Sequence, residues 1–113
     1  MRTRKIGSTP VSAIGLGGMP MSVEGRPGEE RSVRTIHAAL DAGVRLIDTA
    51  DAYLLKAGET GHNEQLIAAA LASYGGDAGD VLVATKGGHL RPGDGSWVID
   101  ASPAHLREAA ERR

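Results

Sequence analysis

The sequence predicts an α/β fold in which a parallel sheet carries helices on its outside. Three observations lead there. The spacing of apolar residues switches repeatedly between strand and helix patterns, so the two element types alternate along the chain. Val81-Leu82-Val83-Ala84-Thr85 is an unbroken apolar run, of the kind found in strands buried on both faces. Glycines stand where helices should stop, at Gly43 and at Gly75-Gly76.

Residues 2–16 read as two short strand-like pieces around the turn Gly7-Ser8-Thr9-Pro10, an N-terminal β-hairpin. Ser12-Ala13-Ile14-Gly15-Leu16 then leads into Gly17-Gly18. Val33, Ile36 and Leu40 share one face of a helix that starts at Glu30 and runs to about Ala42. Glu29 and Glu30 suit its electropositive start. Val44 to Asp48 reads as a short strand, and a loop from Thr49 to Gly61 follows it. Leu66, Ile67, Ala70 and Leu71 mark the apolar stripe of a second helix. After the strand at Val81–Thr85, a long glycine-rich loop leads to Ser102-Pro103, a good N-cap followed by a good first helical residue. The third helix carries Leu106, Ala109 and Ala110. About three βα units result. A doubly wound sheet and a (β/α) barrel both fit, and three units are too few to close an eight-stranded barrel.

Composition narrows the function classes. With 113 residues there is room for one small domain and not for two. Thirteen basic against fourteen acidic residues give a net charge of −1, so no basic excess points to nucleic acid or an anionic membrane. The absence of cysteine excludes a disulfide scaffold and thiolate metal sites. Ten Leu, six Ile, seven Val and no Phe form a thin apolar inventory, so residues 1–113 are expected to be a single incomplete domain. No run approaches the ~18–20 apolar residues of a membrane span. After Arg2, Arg4 and Lys5, the stretch Ile6-Gly7-Ser8-Thr9-Pro10 breaks any signal-peptide core, and a cytoplasmic location is expected.

In parallel α/β folds the chemistry gathers at the carboxyl ends of strands. Asp48 ends the second strand, Lys86 follows the third, and Tyr53 stands five residues past Asp48. Val44, Leu46 and Asp48 share one strand face; Leu82, Ala84 and Lys86 share another, so neighbouring strands would bring the two charges together. A phenol releases its proton only near pH ~10, and an adjacent ammonium eases that release by stabilising the phenolate. Such a trio can protonate a carbonyl oxygen while hydride reaches carbon. A plain Asp48–Lys86 ion pair, with Tyr53 packing a loop, satisfies the same spacing.

Gly15-Leu16-Gly17-Gly18-Met19-Pro20 fails as a dinucleotide fingerprint, because Pro20 takes the third glycine position and no helix begins there. It does leave a strand end with little side-chain bulk, suited either to a passing ligand or to a simple turn. His37 and His105 read as ordinary helix residues, and His62-Asn63-Glu64 as a helix cap. His89 in the long loop either touches a substrate or stands in solvent, Asp51 reads as a solvated loop carboxylate, and Trp97 either walls a pocket or packs the loop. No HxH or HExxH spacing occurs, so no metal site is expected.

Gly43-Val44-Arg45-Leu46-Ile47-Asp48-Thr49-Ala50-Asp51-Ala52-Tyr53 resembles the signature of the aldo-keto reductases, as does Gly61-His62-Asn63-Glu64-Gln65-Leu66-Ile67. Val81 to Gly88 is similar to the family's lysine strand, and Gly15-Leu16-Gly17-Gly18-Met19 to its first strand. The resemblance covers essentially the whole chain. It implies the N-terminal part of a (β/α)8 TIM barrel that binds NADP(H), or NAD(H), and reduces small aldehydes or ketones to alcohols. It further implies Tyr53 as the general acid, Lys86 as the group tuning it and Asp48 as the partner of Lys86. Gly17, Gly18, Met19 and Asp48 would lie beside the nicotinamide. The family's catalytic histidine ends a fourth strand that this sequence does not include, so the 113 residues alone are expected to be inactive. Two alternatives differ in kind. Lys86 would serve as a Schiff-base nucleophile in one; in the other, a truncated, non-catalytic product persists only by association, because its third strand leaves an open apolar edge.

Overall fold

A computed structural model describes residues 1–112. The chain opens with an antiparallel hairpin of β1 (Thr3–Ile6) and β2 (Thr9–Ser12), with Thr3 opposite Ser12 and Ile6 opposite Thr9. Gly7 turns it at φ +60°, a backbone conformation that glycine adopts without steric cost.

Three short strands then form a parallel sheet in sequence order: β3 (Leu16–Gly17), β4 (Leu46–Asp48) and β5 (Leu82–Ala84). Gly17 is level with Asp48, and Asp48 with Ala84. Backbone pairing continues past the strand ends. Gly18 N donates to Asp48 O at 2.8 Å, Thr49 N to Ala84 O at 2.8 Å, and Asp51 N to Lys86 O at 3.3 Å. These bonds hold the three carboxyl ends side by side.

Helix α1 (Glu29–Asp41) packs on the sheet through Ile36 and Leu40. Its stop is a Schellman motif: Gly43 N bonds Leu40 O and Val44 N bonds Ala39 O, both at 3.0 Å, with Gly43 at φ +97°. Helix α2 (His62–Ala72) adds Leu66, Ile67 and Ala70, and Ile47 of β4 joins the same cluster. With Met21, from the short 3-10 turn Met19–Met21, these residues form the core. Helix α3 (Pro103–Glu111) starts as expected, with Ser102 Oγ accepting from His105 N at 3.3 Å. No helix among the described residues is long and apolar enough to cross a membrane.

Three expectations need correction. The run at Val81–Thr85 is not buried on both faces: Val83 is 37% exposed, because β5 is the outermost strand of the sheet among the described residues. In α3 only Ala109 is buried, while Leu106 is exposed and Ala110 also faces outward. The glycine-rich loop contains a further antiparallel pair, β6 (His89–Leu90) with β7 (Val98–Ile99). Two residues per strand are too few for alternation to announce a strand.

Candidate active site

The parallel register carries Asp48 and Lys86 to the same sheet end. Lys86 Nζ donates to Asp48 Oδ1 at 2.9 Å, to Asp48 Oδ2 at 2.8 Å and to the Thr49 carbonyl at 2.7 Å. It also stands 5.1 Å from the centroid of the Tyr53 ring. Partial burial pulls the Lys86 ammonium down from its ordinary range, but the hydrogen bond with Asp48 and then the Tyr53 phenol outweigh it; the net shift is upward. All three side chains singled out in the sequence are therefore gathered at one place. Tyr53 and Lys86 border a cavity of about 230 Å³ lined also by Met19, Ala52, His89 and Trp97.

Gly17 and Gly18 differ in character. A Cβ at Gly17 would meet nothing within 4 Å, so the backbone there faces open space. At Gly18 it would stand 2.5 Å from Asn63 Oδ1 and 3.0 Å from the Asp48 carbonyl, so packing alone requires glycine. Met19 is 42% exposed at the cavity rim.

Beneath the site lies a polar network that sequence reasoning missed. Asn63, fully buried, accepts from Thr49 Oγ1 at 2.6 Å and donates to Gly18 O and Ser22 Oγ, both at 2.8 Å. Ser22 Oγ is in turn hydrogen-bonded to His62 Nδ1 at 2.7 Å. The cap reading of His62-Asn63-Glu64 is thus overturned: Gly61 is the N-cap of α2 and no side chain caps it, while Asn63 ties α2 to the ends of β3 and β4, His62 to Ser22, and Glu64 accepts from Thr85 Oγ1 past β5. A signal did exist, since Asn63 shares helical spacing with Ile67 and Ala70 and so sits on the buried stripe.

Asp51 is not solvated either. It is buried, and Arg112 Nη2 reaches its Oδ2 at 3.2 Å. That partner lies 61 residues away, beyond any local reading. His37 is satisfied by the Ala70 carbonyl at 2.7 Å, and His105, mostly buried, faces Asp100 at 4.0 Å. Trp97 both lines the cavity and packs its loop, with the Arg91 guanidinium 4.1 Å from its ring centroid. His89 meets the Trp97 ring edge-on at 6.1 Å. No cluster of three or more metal-type side chains occurs among the described residues.

A sequentially ordered parallel sheet, with a carboxylate, an ammonium and a phenol gathered at its carboxyl end near an apolar cavity, places the chain among α/β proteins. The chain belongs to the aldo/keto reductase family, whose model matches residues 13–113. It is 34% identical over 111 residues to pyridoxine 4-dehydrogenase of Escherichia coli, covering 95% of this chain and 36% of that protein. An uncharacterized oxidoreductase of Schizosaccharomyces pombe, C215.11c, is 31% identical over 110 residues, covering 94% of this chain and 33% of its own length. The holo form of aldo-keto reductase AKR11C1 from Bacillus halodurans superimposes with a TM-score of 0.75 at 32% identity, over 98% of this chain and 34% of that one. The chain thus spans about a third of the length of the relatives it matches.

Proposed function

We propose that residues 1–113 are a single incomplete domain, the first three βα units of a (β/α)8 barrel, and carry the proton-donating half of an NAD(P)H-dependent carbonyl reductase. The substrate class is a small aldehyde or ketone, or the corresponding alcohol in reverse. NADP(H) is the cofactor put forward, with NAD(H) as the other choice. Membership of the aldo/keto reductase family supports the oxidoreductase class. The observation that carries the mechanism is Lys86 Nζ, held by both oxygens of Asp48 while facing the Tyr53 ring.

In this reading Tyr53 is the general acid. Its hydroxyl holds the proton that passes to the carbonyl oxygen, leaving a phenolate. The Lys86 ammonium stabilises that phenolate, and Asp48 keeps the ammonium charged and in place. The carbonyl of Thr49 fixes the third direction of Nζ.

The residues proposed beside the nicotinamide fit a flat ring on physical grounds. Gly17 offers open space, Met19 an exposed apolar side chain, and Asp48 an exposed carboxylate, with Gly18 holding the backbone between them. When bound, such a cofactor supplies the hydride.

The test is NADPH oxidation with a ketone by the complete product of the gene encoding these residues. Tyr53→Phe should lower kcat at least ~100-fold, in the range of general acid catalysis, with KM within about threefold. A variant that keeps more than a tenth of wild-type kcat sinks the assignment. The 113-residue chain alone should show no turnover.

A further inference from the structure

Trp97 is the sole tryptophan of the chain and lines the cavity at which Tyr53 and Lys86 stand. Its ring meets Tyr53 edge-on, with centroids 6.4 Å apart and planes at 83°. Nothing in the proton-donating trio explains how this ring is held. The Arg91 guanidinium stacks 4.1 Å from the ring centroid, and the Arg91 side chain is only 1% exposed. Its Nη2 is paired with Glu24, which lies 67 residues away between the 3-10 turn and α1. A buried arginine is retained when its charge is matched and its flat face is used. Here the charge is matched from another βα unit, and the flat face serves Trp97.

We propose that Trp97 is the specificity-determining wall of this site, with Arg91 and Glu24 as its positioning residues. It selects carbonyl compounds bearing a flat apolar group over small aliphatic ones. The proposal rests on the carbonyl-reductase reading above and names its substrate class. Chemistry and shape agree: Met19, Ala50, Ala52, Tyr53 and Trp97 supply apolar lining, and about 230 Å³ is room for a one-ring compound. A flat ring gains twice here, from apolar surface removed from water and from edge or offset contact with Trp97.

Because Trp97 is the only tryptophan, its emission reports occupancy of the cavity without any turnover. The 113-residue chain would be titrated with acetophenone and with butanone, after correction for absorbance. Acetophenone should quench Trp97 saturably with an apparent Kd at least about tenfold below that of butanone. Glu24→Gln and Arg91→Met should shift Trp97 emission to the red and weaken acetophenone about fivefold, leaving butanone unchanged. Arg91→Lys, which keeps the charge and loses the plane, should fall between. The Glu24 side chain is 54% exposed, so Glu24→Gln decides the matter if Arg91→Met does not fold. Equal affinity for the two ketones overturns the proposal. So does a Glu24→Gln chain with unchanged emission and unchanged acetophenone affinity.

The two readings fail separately. If acetophenone titrates as described while Tyr53→Phe leaves turnover intact, the wall stands and the reductase assignment falls. If Tyr53→Phe abolishes turnover while acetophenone binds no better than butanone, the wall falls and the reductase assignment stands.

Discussion

Gly17 and Gly18 are adjacent in sequence and alike in composition, yet an added methyl should have opposite consequences at the two. At Gly18 the new Cβ would stand 2.5 Å from Asn63 Oδ1, 3.0 Å from the Asp48 carbonyl and 3.2 Å from Ile67 Cδ1. Asn63 cannot simply swing aside. It is fully buried and held by Thr49 Oγ1 at 2.6 Å, Gly18 O at 2.8 Å and Ser22 Oγ at 2.8 Å. Overpacking of this kind costs about 1–3 kcal/mol, and each buried hydrogen bond left without a partner adds about 1–3 kcal/mol. Relaxation limits the total, and Gly18→Ala should destabilise by about 3 kcal/mol. For a domain near 100 residues this lowers Tm by about 12–24 °C. Gly17→Ala meets nothing within 4 Å and should lie within about 0.5 kcal/mol of wild type. Thermal unfolding followed by far-ultraviolet circular dichroism, run on both variants, checks the contrast. A Gly18→Ala chain melting within about 2 °C of wild type would refute the reasoning, as would a Gly17→Ala chain that loses as much as Gly18→Ala.

Two further outcomes follow from charged groups. Glu59 accepts from both Arg26 nitrogens at 3.0 Å and from the Leu55 and Lys56 amides, and the Arg26 hydrogen bond leads in drawing its carboxyl down from 4.5 to about 2. A depressed carboxylate stabilises above its unfolded value and loses that stabilisation as pH falls. Glu59→Gln should therefore cost about 1 kcal/mol at neutral pH, after allowance for solvent screening, and the gap to wild type should close as pH falls from 4.5 toward about 2. Urea midpoints across that range check it; a gap constant with pH would contradict it. Lys86 is shifted the other way, so its ammonium persists beyond the ordinary lysine range and is a poor nucleophile at neutral pH. Borohydride treatment with a ketone should leave no adduct on Lys86 by peptide mass analysis, and a trapped adduct there would revive the Schiff-base alternative.

The parts of the molecule that were legible in the sequence are those set by short-range rules. Asp48 and Lys86 could be paired on paper because strand side chains alternate and successive βα units place their strands side by side. The end of α1 was legible because a left-handed glycine and its two backbone bonds are a local device. Burial of Asp51 was not, since it depends on Arg112 arriving from the far end of α3. Nor was the exposure of Val83, which reflects the place of β5 at the sheet edge among the described residues rather than anything in its own apolar run. Asn63 lay between these cases: its place on the helical stripe was visible, but its three partners come from two distant segments, Thr49 after β4 and Gly18 and Ser22 on either side of the 3-10 turn.

The core also has an order to it. Met21, Ile36, Leu40, Ile47, Leu66, Ile67 and Ala70 all precede β5, and only Val81, just before that strand, packs at the margin. Opening free energy varies across a structure with the apolar contact each part buries. Asp48 and the loop that bears Tyr53 belong to the part anchored in that core, whereas Lys86 follows β5, the strand of the parallel sheet with the least invested in it. The phenol and its tuning cation therefore sit on parts of unequal permanence. In native-state hydrogen exchange, the amides of β5 should open before those of β4, so that the ammonium can leave the phenol's side while the phenol stays where it is.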